Sequence, residues 1–172
     1  MTLLRCTQKL RTVMGLGPAD LKEAGSEALL GDWYATLLYE HRKKCVLFAS
    51  DKTLLCFLVP ALSQARIRRL DDVFRDGLFR LLLDEGFQPQ HVTRLFHECR
   101  NVRYAATIDR SMTGTVNEMV KEVHFWLPRF GDVANPDLAA LHHKLNRYPL
   151  KRNEYDYAID RTKRLLESLA DN

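Results

Sequence analysis

The chain has 172 residues, of which 46% are hydrophobic and 28% charged, and 26 basic against 22 acidic side chains leave a formal net charge of +4. This profile excludes a disordered, collagen-like or disulfide-scaffold protein and predicts one globular domain over residues 1–172. By surface scaling, a chain of this size buries about 70% of its surface on folding, enough for a core without staples.

The basic excess is evenly spread, with 13 basic and 11 acidic residues on each side of the Gly86 position. A small, dispersed excess is compatible with nucleic-acid binding but does not select it. The longest apolar runs, such as Leu54 to Ala61, fall far short of the roughly 20 residues that a membrane-spanning helix needs. Arg5, Lys9 and Arg11 interrupt the amino-terminal stretch, so no secretory segment is expected and the cytoplasm is the expected location. Cys6, Cys45, Cys56 and Cys99 form no C-x-x-C pair, and three of them lie in apolar runs. They read as small buried hydrophobes with reduced thiols.

In chain order, Thr2 to Gln8 predicts a first strand, and Leu10, Val13 and Met14 share one face of a helix that Gly15 and Gly17 end. A glycine-containing connector runs to Gly31. "WYATLLYE", "KCVLFAS" and "TLLCFLVP" then predict three strands joined by breaks of hairpin length. The second and third of these strands are apolar on both alternation phases, so both faces of the sheet should be covered by helices. Leu70, Val73, Phe74, Leu78, Leu81 and Leu82 form the stripe of a helix that Gly86 terminates. A further helix starts at Pro89, and a strand follows at "NVRYAATI". Thr115 and Glu118 have capping-box spacing before a helix that Pro128 stops. Asn135 before Pro136 predicts another helix start, and a last helix runs from about Ile159 to Leu169. The expected fold is a single α+β domain, with a mainly antiparallel sheet of about five strands covered by helices.

P-loop, dinucleotide-binding, zincin and nucleophile-elbow signatures are absent. His142 and His143 are adjacent, which points them apart on a helix, and no metal site or cofactor is expected. The informative stretch is Thr107 to Glu118, where a strand runs into a polar loop that opens a helix. A helix amino terminus attracts anions through its unpaired N–H groups and its dipole. There Arg110 adds charge, Ser111 and Thr113 add hydroxyls, Gly114 admits close approach and Asn117 offers its amide. Capping of the helix by these same residues is the alternative. Arg5 lies between Leu4 and Cys6 inside a strand. If that strand is covered on both faces, the guanidinium requires a partner, with Asp32, Asp51 and Asp109 as candidates. An edge position with the guanidinium in water is the alternative. The basic clusters "HRKK" (His41 to Lys44) and "RIRR" (Arg66 to Arg69) lack interleaved aromatics and read as solvated surface.

"RCTQKL", "GDWYATLL", "RKKCVLFAS", "DRSMTGTVNEM" and "LNRYPL", in that order, cover nearly the whole chain. Together they resemble an uncharacterised bacterial family, a domain of unknown function in the six-thousand-nine-hundreds. In that family the loop before the helix is expected closer to "NRSVLGSMND", so Asp109, Thr115 and Glu118 are substitutions of this chain. The resemblance implies a standalone cytoplasmic bacterial domain and implies no activity.

The functional expectation is a non-enzymatic binding or regulatory domain that takes a small anionic ligand or a protein partner. Its site residues would be Arg5, Asp32, Asp109, Arg110, Ser111, Gly114 and Asn117. Two further readings stay open: an enzyme acting on a phosphate ester or nucleotide, with Asp32 or Asp109 as acid or base, and nucleic-acid binding through the basic clusters.

Overall fold

A computed structural model describes residues 1–23 and 25–168. The chain opens with β1 (Thr2–Cys6) and α1 (Gln8–Met14), crosses a connector, and forms β2 (Trp33–Glu40), β3 (Lys43–Ser50) and β4 (Cys56–Leu62). Helices α2 (Gln64–Arg68), α3 (Leu70–Asp84) and α4 (Pro89–Glu98) lead to β5 (Val102–Ala106). The chain continues through α5 (Arg110–Trp126), α6 (Leu138–Leu145) and α7 (Ala158–Ser168). The strands make one sheet in the order β4-β3-β2-β1-β5.

The sheet is mixed, which corrects the expectation of a mainly antiparallel one. β2, β3 and β4 form the expected antiparallel meander, whereas β1 runs parallel to both β2 and β5. The reason lies in the connections. A two-residue turn at His41 and Arg42, both at positive φ, reverses the chain between β2 and β3. β1 reaches β2 through α1 and the connector, and β4 reaches β5 through three helices, crossovers of the kind that restore strand direction.

The two-phase apolar strands are buried on both sides, as their pattern predicts. One face packs Leu4, Trp33, Phe48 and Phe57 against α1, α3, α4 and α7. Its centre is an aromatic cluster in which Phe48 and Phe57 stack at 4.9 Å and Phe74 of α3 meets Trp33 edge-on at 5.1 Å. The other face packs Tyr34, Leu38, Leu47 and Leu58 against Met112, Val116, Met119 and Val123 of α5 and Leu141 and Leu145 of α6. α3 lies so close to β4 that a Cβ on Gly77 would sit 2.5 Å from Phe57 Cε2.

β4 is an edge strand, and its free edge is closed by side chains rather than by another strand. Asn146 Oδ1 accepts from Cys56 N at 2.8 Å, and Asn146 Nδ2 donates to Cys56 O at 2.8 Å. Two residues along the strand, Leu58 N donates to His142 Nε2 at 3.0 Å. Four residues of helix rise about 6 Å and two residues of strand about 6.7 Å, so His142 and Asn146 match the spacing of the outward-facing groups. Pro60, next in phase, has no N–H to expose. Accepting at Nε2 keeps the His142 ring neutral, and burial pushes its pKa down to about 4.

Two helix starts differ from expectation. α5 begins at Arg110, capped by Asp109, so Ser111, Thr113 and Gly114 are helical rather than loop residues, and Asn117 lies beyond the first turn. Thr115 is buried inside the helix, where its hydroxyl donates to Ser111 O, and it does not form a capping box. α6 is capped by Asp137, whose carboxylate accepts from Ala140 N, rather than by Asn135. The predicted end of the last helix at Leu169 lies outside the described residues.

Candidate functional site

β1 and β5 are adjacent parallel strands that hand the chain to opposite faces of the sheet. β1 leads to α1, which packs on the Trp33 face, and β5 leads to α5, which packs on the Tyr34 face. The two chain paths thus diverge beyond the carboxyl ends of the two strands, the general ligand position in open α/β sheets. The polar residues singled out from the sequence fall around this point in two layers, one buried and one exposed.

The buried layer centres on Arg5, which is 3% exposed and pairs in register with Tyr34 of β2 and Ala105 of β5. Because β1 has neighbours on both sides and helices over both faces, the guanidinium has no route to water. Arg5 Nε donates to Asp32 Oδ2 at 2.6 Å, and Nη1 donates to Ala106 O at 3.0 Å, at the carboxyl end of β5. Asp32, 6% exposed, also accepts from Ser26 N of the connector. Of the three candidate partners Asp32 is therefore the one used. Asp51 lies beside it, held by a 2.9 Å bond from its N–H to Asp32 O. Gly31, at φ +73°, has no side chain because the Asp51 carboxylate fills the space where a Cβ would stand. Burial, and then the Asp32 charge, push the Asp51 carboxyl above its ordinary range.

The exposed layer is the mouth of α5. Asp109 Oδ1 accepts from Ser111 N at 2.8 Å and Met112 N at 3.2 Å, and its own N–H meets the Tyr34 hydroxyl at 3.4 Å. Arg152 comes in from the far end of the chain. Its Nη2 donates to Asp109 Oδ2 at 2.8 Å and its Nη1 to Ser111 Oγ at 2.9 Å. The Met112 N–H and then Arg152 hold the Asp109 carboxyl below the usual carboxylate range. Two arginines and one aspartate leave this mouth with a net positive charge, and the uncompensated member is Arg110. It is exposed, and its side chain has no hydrogen bond or ion pair among the described residues. Arg110, Gly114 and Asn117 are four and then three residues apart, which aligns them on one exposed stripe of α5. A Cβ at Gly114 would meet nothing within 4 Å, so no packing within the domain requires a glycine there.

The structure thus joins Arg5 to Asp32, and Asp109 to Ser111, while Arg110, Gly114 and Asn117 line the surface beside the second pair. Asp109 is not hydrogen-bonded to Arg5 or Asp32; Tyr34 lies between the layers. Arg152 and Tyr34 escaped the sequence reading. Arg152 is 43 residues from its aspartate, and no local pattern marks it. All four cysteines are free and buried, and burial pushes the thiols of Cys6 and Cys56 up to about 12. No group of three His, Cys, Asp or Glu side chains among the described residues could hold a metal ion. No helix among them is long and apolar enough to cross a membrane.

Fold and site together define an α+β domain with a doubly covered mixed sheet and a basic helix mouth beyond two parallel strands. The chain belongs to the family described as Domain of unknown function (DUF6933), whose model matches residues 3–161. That span includes every site residue from Arg5 to Arg152. No curated protein and no solved structure matches the chain.

Proposed function

We propose that this protein is a non-enzymatic binding domain that takes an anionic group, carried by a small ligand or a protein partner, at the amino-terminal stripe of α5. The observation that carries the reading is Arg110, a guanidinium left unpaired at a helix mouth whose other charges are already matched. Arg110 supplies charge and a planar donor fork for carboxylate or phosphate oxygens. Asn117 adds an amide further along the stripe, and Gly114 leaves the helix backbone bare between them. Ser111 and Asp109 are held by Arg152, so they present a fixed rim. Arg5 and Asp32 act one layer below: Arg5, held by Asp32, donates to Ala106 O and fixes the end of the strand from which α5 is launched. Ile108, 70% exposed beside this mouth, offers an apolar contact to the body of the bound molecule.

Thermal unfolding in the presence of inorganic phosphate tests the reading, because a molecule that binds only the native state raises its apparent stability. At about 100 times Kd the gain is about 2.7 kcal/mol, roughly 5–10 °C in Tm for a domain of this size. Arg110→Glu should remove that shift while leaving the ligand-free Tm within about 2 °C of wild type, since the side chain is exposed and makes no hydrogen bond or ion pair among the described residues. A phosphate-induced shift that survives in Arg110→Glu would place binding elsewhere.

A further inference from the structure

On the opposite side of the sheet, the closed edge of β4 borders a cleft of about 250 Å³ between the strand, α3 and the segment leading into α6. Its shape follows from two local features. Gly77 lets α3 approach β4 closely, with 3.0 Å between a Cβ there and Val59 Cγ2. At Pro60 and Ala61 a bulge, with Ala61 at φ 51°, breaks the register with β3 and turns the strand away. Val59, Pro60, Val73 and Leu138 belong to the apolar part of the lining.

The charged part of the lining is unusual in how it is paired. Arg80 leans toward Asp84 at 3.7 Å, and in the adjoining depression Arg69 pairs with Asp72, which Arg75 engages from outside it. Arg66 and Asp76 border both hollows and pair with nothing among the described residues, including each other. Both side chains are exposed, one on α2 and one on α3, so opposite charges border one part-apolar cleft without forming an ion pair. Had they touched, they would have formed an ordinary surface ion pair. Unpaired, they present a cation and an anion to whatever enters the cleft.

We propose that this cleft binds a free α-amino acid with an aliphatic side chain. The α-carboxylate meets the Arg66 guanidinium fork, the α-ammonium meets the Asp76 carboxylate, and the side chain lies on Val59, Pro60, Val73 and Leu138. The volume is below the range of about 300–1,000 Å³ that takes drug-sized ligands, which suits a molecule of this size. The site is separate from the α5 mouth and does not depend on it.

The test is titration of the ¹⁵N-labelled full chain with L-leucine, followed by amide chemical shifts, beside two blocked analogues. N-acetyl-leucine lacks the ammonium and leucinamide lacks the carboxylate. Leucine should move the amides of Val59 and Gly77, and each analogue should bind at least about tenfold more weakly, the factor expected for losing one charge-assisted contact. Arg66→Gln should lose leucine affinity by a similar factor yet bind leucinamide as the wild type does. Asp76→Asn should likewise spare N-acetyl-leucine. Absence of shifts at these amides up to the solubility of leucine overturns the proposal, and so does equal binding of leucine and both analogues.

Discussion

Removing the Asp32 carboxylate should show how strongly the first strand depends on one buried pair. In Asp32→Ala, Arg5 keeps only its bond to Ala106 O, and the Ser26 N–H loses its acceptor. At 3% exposure the guanidinium cannot turn to water, so the loss is that of an uncompensated buried charge, about 3–5 kcal/mol. Against a total stability of about 5–15 kcal/mol, that is a large fraction. The double variant Arg5→Met with Asp32→Leu removes the charge as well as its partner. It should recover at least half of the loss, because apolar residues often replace a buried ion pair at little cost. Urea unfolding of the two variants and the wild type measures both quantities, with midpoints shifted and slopes unchanged. A loss below about 1 kcal/mol in Asp32→Ala, typical of an exposed pair, would refute the reasoning. A double variant no better than the single one would show that the bonds to Ala106 and Ser26, rather than charge compensation, carry the effect.

The edge closure by α6 gives two further predictions. In Asn146→Ala, both the N–H and the C=O of Cys56 lose their partner in a fully buried setting, so urea unfolding should show a loss of roughly 2–5 kcal/mol; a loss under 1 kcal/mol would mean that water replaces the amide. His142 is depressed to about 4 in the folded chain against 6.5 when unfolded, so the unfolded state takes up the proton first as the pH falls. Stability should therefore be full above pH 6.5, decline as the pH falls toward 4 and flatten below, with a total near 3 kcal/mol relative to His142→Gln under the same conditions. Parallel curves for wild type and variant across that window would contradict the assigned neutral ring.

Much of the architecture was legible because it depends on side-chain period. Strands apolar on both phases announced a sheet covered twice, whereas Arg5 between Leu4 and Cys6 fits either a buried, paired charge or an edge position in water, and the central place of β1 decides for the first. Strand direction was not legible, since β1 has the same local pattern whether its neighbours run parallel or antiparallel; only the long crossovers distinguish the two. Thr115 and Glu118 have capping-box spacing by coincidence, inside a helix that already starts at Arg110. Met112, Val116, Met119 and Val123 continue one apolar stripe back to residue 112, and that spacing marks the earlier start. The pairing of Arg152 with Asp109, the α6 side chains on the β4 edge and the facing charges of Arg66 and Asp76 each join distant segments. Folding alone brings them together.

The central claim is that an anion binds at Arg110. Its most direct test is a titration of the ¹⁵N-labelled protein with inorganic phosphate, comparing wild type with Arg110→Glu. In the wild type, saturable shifts should concentrate at the amides of Arg110, Ser111 and Gly114, and in the variant they should vanish while the rest of the spectrum is retained. Saturable shifts centred on another part of the chain, or unchanged in Arg110→Glu, would contradict the claim.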